Sequence, residues 1–208
     1  VVVALAAAAL AAPLPAAIAA IAPAPTRPGA SPLPLPLRPG SPLTLCLTDA
    51  SAQQLARDHV ELTPIAPSTL VTSGGRRCVK LLLDKGEING NLSGFTTSVR
   101  GGLALRRGSR YATFTEPHGS VRVLAPTAEI TAEHDDKRID FLSTRSASIR
   151  LSPRGLTASD APMALAPAAE HALARMFGAS PWQAGETVFI GTAAFGVAPL
   201  DSRPASPR

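Results

Sequence analysis

Beyond residue 43 the chain alternates hydrophobic and polar residues with a period of two, in short runs broken by turn-forming residues. That is the signature of strands with one face on a core and the other on solvent. In 120–124 (SVRVL), Val121 and Val123 point one way and Arg122 the other. In 137–142 (KRIDFL), Ile139 and Phe141 alternate with Arg138 and Asp140, and in 146–151 (SASIRL) Ala147, Ile149 and Leu151 alternate with Ser148 and Arg150. The runs 78–83, 95–106, 110–115, 127–132 and 186–195 read as further strands. Gly101-Gly102, Gly108-Ser109, Pro117-His118-Gly119, Asp135-Asp136 and Pro153-Arg154-Gly155 supply turns between them. Strands this short and this regularly spaced predict a mainly β fold, an antiparallel β-sandwich or partly closed barrel.

Two segments break the alternation and resemble each other: 47–57 (LTDASAQQLAR) and 165–175 (LAPAAEHALAR). Each follows a strand-like stretch, TLCL or PMAL, and each leads into another extended one. Asp49 suits the N-cap of the first, where its carboxylate accepts a free backbone N–H, and Pro167 suits the first turn of the second, where no donor is needed. The pattern predicts two short helices flanking the sheet.

Organisation outside this region follows composition. Residues 1–22 are uncharged and dominated by alanine, with Ala17-Ile18-Ala19 and Ala20-Ile21-Ala22 fitting the small-x-small pattern that a signal peptidase accepts. They read as a signal peptide, incomplete at its start because neither Met nor a basic stretch opens it. Pro13 and Pro15 weigh against a membrane-spanning helix, so membrane contact is expected only through an uncleaved leader. Residues 23–42 carry proline at nearly every second or third position and read as an extended linker. The β-rich domain is expected over 43–199, with a disordered tail at 200–208. The whole reads as a secreted or cell-envelope protein.

Charge and cysteines add little to this. The net charge is +5, carried by 17 Arg against three Lys in a chain rich in Ala, Pro and Gly; a GC-rich genome produces that mix by codon bias alone. Aromatic residues make up 4% of the chain, too few stacking rings for a nucleic-acid partner. Cys46 and Cys78 form an even pair, either a disulfide, as export would favour, or two buried thiols.

Catalytic chemistry finds no support. The four histidines (His59, His118, His134, His171) have no metal-ligand spacing. No G-x-S-x-G elbow occurs, and Asp135-Asp136 sits in a run of exposed-turn composition beside Glu133, His134 and Lys137. A basic hairpin, Arg100, Arg106, Arg107 and Arg110, presents guanidinium groups to an anionic cell-wall polymer or an envelope protein.

The segments 44–67 (TLCLTDASAQQLARDHVELTPIAP), 86–105 (GEINGNLSGFTTSVRGGLAL) and 163–195 (MALAPAAEHALARMFGASPWQAGETVFIGTAAF) together resemble a group of uncharacterised secreted actinobacterial proteins, distantly similar to the HtaA-type haem-binding domain. The resemblance implies an exported β-rich domain. It also implies haem held through a tyrosine supported by a histidine. Related sequences often carry His just before the Gly-Gly pair, where this chain has Ser98-Val99-Arg100. The pair left for such a role is Tyr111 with His118, flanking one predicted strand. The leading expectation is a non-enzymatic binding or structural module of the envelope or extracellular space, without a cofactor; the alternative is a domain that binds haem or another small hydrophobic ligand.

Overall fold

The computed structural model describes residues 33–123, 125, 127–152 and 155–199. The signal peptide, the linker up to residue 32 and the tail lie outside the described residues. The chain forms β1 (Leu35–Pro36), β2 (Pro42–Leu47), α1 (Asp49–Arg57), β3 (Glu61–Ile65), β4 (Thr69–Ser73), β5 (Arg76–Ile88), β6 (Gly94–Arg100) and β7 (Gly102–Arg107). There follow β8 (Arg110–Arg122), β9 (Thr127–His134), β10 (Lys137–Thr144), β11 (Ser148–Ser152), β12 (Gly155–Leu165), α2 (Pro167–Phe177) and β13 (Thr187–Gly196).

Every strand pairing is antiparallel, and eight strands close on themselves in the order β5, β2, β13, β12, β10, β9, β8, β6 and back to β5. The fold is therefore a closed barrel with appended strands and two helices, resolving the choice between sandwich and barrel. The appended strands are β1 and β4 on β5, β7 and then β3 on β8, and β11 on β12. Closure is uneven. Strands β10 and β12 share only the pairs Leu142↔Leu165 and Ser143↔Ala164, after which β11 takes over the edge of β12.

Two long strands make this possible by changing partners along their length. The first half of β8 (110–115) pairs with β7 and the second (118–122) with β6. Sequence patterning placed a turn at Pro117-His118-Gly119; instead the strand runs through it. A bulge between Thr115 and His118 absorbs the proline, and the buried positions shift from Ala112 and Phe114 to Pro117 and Gly119. A bulge leaves one residue outside the ladder, which is where a residue without an N–H is tolerated. Likewise 95–106 is two strands rather than one. The break at Gly101, with φ of 79°, redirects the chain so that β6 and β7 lie along different halves of β8.

The helices follow β2 and β12, which both run antiparallel to β13 and so leave the barrel at the same end. Thr48, not Asp49, caps α1: its Oγ1 accepts from the Ser51 N–H at 3.1 Å, while Asp49 occupies the first turn. Helix α2 begins with Pro167 as expected and stops at Gly178, which adopts φ of 83°. It buries Ala169, Ala172, Leu173 and Phe177 and packs on β8 and β10, while α1 packs on β13. Trp182 is 1% exposed; its ring meets Phe189 edge-on at 5.7 Å and its Nε1–H donates to the Ser51 carbonyl. Phe114 stacks between Phe141 and His134. These rings fill the helix end of the barrel.

The linker expectation needs a correction at its end. Residues 35–42 are part of the domain: β1 pairs with β5, Leu37 bridges to Val197 and is buried, and β2 already starts at Pro42. Leucines alternate with prolines here, so the apolar side chains reach the core while the prolines occupy positions that donate nothing to the ladder. The two cysteines form a disulfide across the β2–β5 pair, Cys46↔Cys78.

Candidate functional site

At the end of the barrel away from the helices the packing leaves a cavity of about 70 Å³. Its walls come from β2, β6, β8, β9, β12 and β13, with β10 and β11 on the side where closure is thin. The lining is almost wholly apolar. Phe95 and Phe195 meet edge-on at 6.1 Å, and Leu45, Ile130 and Met163 stand on other sides. Seven lining positions are Ala or Gly, and these small residues are what leave the space open. Val121, Ala128 and Ile130 on β8–β9, with Ala147 and Ile149 at β11, are lining residues only partly buried, so the cavity nears the surface on that side.

Three threonines contribute the polar side chains of the wall. Thr144 Oγ1 donates to the Ser146 carbonyl and accepts from the Ser146 N–H. Thr192 is exposed. Thr97 is 6% exposed, stands on the inward face of β6 between Phe95 and Val99, and has no hydrogen-bond partner for its hydroxyl among the described residues. No charged side chain lines the cavity.

The residues singled out from sequence lie elsewhere. Tyr111 is 61% exposed near the β7–β8 hairpin tip, cross-strand from Arg106. His118 stands on the outer face of β8, in the row Lys85, Ser98, His118, Thr131, Asp140 that crosses five strands. The bulge puts Tyr111 and His118 on the same outer face, but seven positions of strand hold them roughly 20 Å apart. The structure does not bring them together.

The four arginines are engaged within the fold. Arg100 donates to Asp84 at 2.5 Å, and Arg106 to Glu61 at 2.6 Å. Arg107 donates to the Phe177 carbonyl, lies over the Phe177 ring at 5.2 Å and approaches Asp58 at 3.9 Å. Arg110 reaches the Met176 carbonyl at 3.5 Å. Two of them therefore meet the carbonyl-rich C-terminus of α2, where positive charge is favourable.

His59 and His171 are exposed. His134 is 3% exposed, with Nδ1 3.0 Å from the Thr113 carbonyl and Nε2 3.3 Å from Asp135. Asp135 and Asp136 form the hairpin turn, both with positive φ. Among the described residues no cluster of His, Cys, Asp or Glu could hold a metal ion.

Haem iron takes His, Tyr, Met or Cys thiolate, and all such residues of this chain are described. Met163 is the one that lines the cavity, both cysteines are oxidised, and no lining cation faces a propionate. The space is also far below the 300–1,000 Å³ typical of pockets for drug-sized ligands. The barrel interior as it stands does not fit haem.

Sequence reasoning missed the cavity. A partial signal was present: Ala128, Ala158, Ala161 and Ala193 stand at strand positions where Val or Ile would fill a core. That they face one another follows only from the barrel register.

No family model matches the chain, and no curated protein matches it in sequence. Solved structures do match in fold. The C-terminal domain of HtaA from Corynebacterium glutamicum aligns with 78% of this chain and 99% of its own length, at 12% identity and a TM-score of 0.57. The heme-binding protein HtaB from the same organism aligns with 80% of this chain and 96% of its own, at 6% identity and a TM-score of 0.46. The described domain has the fold of the HtaA C-terminal domain and is distantly similar to the HtaA type.

Proposed function

We propose that the chain is a non-enzymatic binding module of the cell envelope or extracellular space, holding a small apolar ligand inside its barrel. The observation that carries the ligand reading is the apolar cavity inside the barrel. Pockets for small molecules are lined mainly by hydrophobic side chains with a few placed polar groups, and this one has that make-up. An extracytoplasmic location rests on the small-x-small sites of the first 22 residues, and the Cys46–Cys78 disulfide is in keeping with an oxidising compartment. An anionic cell-wall polymer or an envelope protein at the basic hairpin is a separate proposal; its four arginines also have partners within the domain.

The test is methyl NMR with n-hexane as probe. Saturating hexane is expected to shift the methyl resonances of Met163, Ile130 and Ile149, and Ala193→Leu, which fills the cavity, is expected to abolish the shifts. Unmoved resonances in the wild type would sink the reading. Haem is the second reading, implied by the sequence resemblance, and HtaB is a heme-binding protein. A Soret band on adding hemin, lost in Tyr111→Ala, would support it at a site outside the barrel; absence of any band removes it.

A further inference from the structure

We infer that Asn89 is a self-modifying site: it loses ammonia to its own backbone, and its amide becomes a carboxylate at the tip of the β5–β6 hairpin.

The chain holds two asparagines, Asn89 and Asn91, both exposed in the tip 89–93 between β5 and β6. Asparagine is chemically labile, because the backbone nitrogen of the next residue can attack its side-chain carbonyl carbon. The attack needs a nitrogen that is free and uncrowded. The hydrogen bonds of the tip separate the two asparagines on both counts. For Asn91 the nucleophile would be the Leu92 nitrogen, whose N–H is engaged by the Asn89 carbonyl at 2.8 Å. Leu92 also brings a branched side chain and a φ of 57°. The Asn91 carboxamide is held as well, its Oδ1 accepting from the Ser93 N–H at 3.0 Å. For Asn89 the nucleophile is the Gly90 nitrogen. It donates to nothing among the described residues, and glycine has no Cβ to obstruct it. The Asn89 carboxamide has a single contact, from Nδ2 to Ser93 Oγ at 3.2 Å, and that contact is exposed.

The reaction needs water and no other reagent. The Gly90 nitrogen gives up its proton and bonds to Asn89 Cγ. The Cγ–Nδ2 bond breaks, and Nδ2 leaves with that proton as ammonia, closing a succinimide ring. Water then opens the ring at one of its two carbonyl carbons. Attack at Cγ gives aspartate; attack at the former backbone carbonyl gives isoaspartate, whose chain runs through Cβ and Cγ. Either product carries a carboxylate, so the formal charge falls by one from +5. Asn89 and Arg122 line the same surface groove, and Arg122 is the one charged residue of that groove among the described residues. The new carboxylate therefore arises in a groove that already holds a cation. Isoaspartate also lengthens the backbone at the residue that closes the hairpin, where the Asn89 N–H donates to the Gly94 carbonyl at 2.9 Å.

The experiment incubates the full chain in neutral and in mildly alkaline buffer. Ammonia release, ion-exchange retention and peptide mapping follow the reaction, and an isoaspartyl methyltransferase labels the isoaspartate. Conversion is expected at Asn89 and not at Asn91, faster in the alkaline buffer because the attacking nitrogen must lose its proton. Gly90→Ala, which crowds that nitrogen, should slow conversion about tenfold, or about 1.4 kcal/mol in the barrier. Asn89→Gln should abolish the acidic product. Three results overturn the inference: Asn91 converting as fast as Asn89, an unchanged rate in Gly90→Ala, or an Asn89 that stays intact while a free peptide of residues 86–94 converts.

Discussion

Arg107 and Arg110 stand at the two ends of one tight turn, yet they hold different things. Arg107 is 28% exposed, covers the Phe177 ring and donates to the Phe177 carbonyl, so it fastens the end of α2 to the β7–β8 hairpin. Arg110 makes one long, exposed contact to Met176. Arg107→Ala is therefore expected to lower unfolding free energy in urea by about 1–2 kcal/mol, through lost packing, cation–π attraction and a hydrogen bond. Arg110→Ala should stay within about 0.5 kcal/mol of wild type. Equal losses would argue against the fastening role. The sequence grouped these arginines with Arg100 and Arg106 as one basic patch, because it showed their proximity and nothing else. Arg106 reaches the nearby Gly108 carbonyl, but the partners that tie the four to the rest of the fold lie 16 to 70 residues away, beyond any local pattern.

At the scale of elements, the strands were legible and their ends were not. Alternation located β8, β9, β10 and β11 because burial of one face imposes it. It misplaced the turn at Pro117-His118-Gly119, since turn-forming residues also serve bulges, and only the partner strand decides which. Gly101-Gly102 is the opposite lesson: turn chemistry is present, but the two strands it joins do not pair with each other. Gly102 is required by close approach. A Cβ there would fall 2.1 Å from the Phe114 carbonyl oxygen, inside the β7–β8 ladder. Gly102→Ala is accordingly expected to cost more than about 2 kcal/mol in chemical denaturation, whereas Gly108→Ala, with open space around it and only a positive φ to strain it, should cost about 1 kcal/mol. Similar costs for the two would show that β7 can move aside.

For the whole molecule the question is what keeps a barrel with a thin seam closed. The disulfide joins β2 to β5, on the far side of the ring from the β10–β9 pair. Cross-linking residues 32 apart contributes on the order of 3 kcal/mol by restricting the unfolded chain. Reduction is then expected to lower Tm by roughly 10 °C in a domain of this size, measured by circular dichroism with and without a phosphine reductant. A shift of only a degree or two would mean that the β2–β5 ladder alone fixes this part of the ring. The helix end, packed with Trp182, Phe189, Phe114 and Phe141, and the opposite end, lined with alanines and glycines, divide the molecule into a solid half and a hollow one.

The sequence by itself determined the β class, the two helices with their flanking strands, the absence of catalytic motifs and the distant HtaA-type likeness. Each of these is written in local periodicity, capping chemistry or ordered segments. Closure into a barrel, the use of residues 35–42 in its wall, the separation of Tyr111 from His118 and the apolar hollow inside the barrel were decided by tertiary structure. They depend on which strands meet and in what register, and register is set by side chains distant in sequence packing on a shared interior.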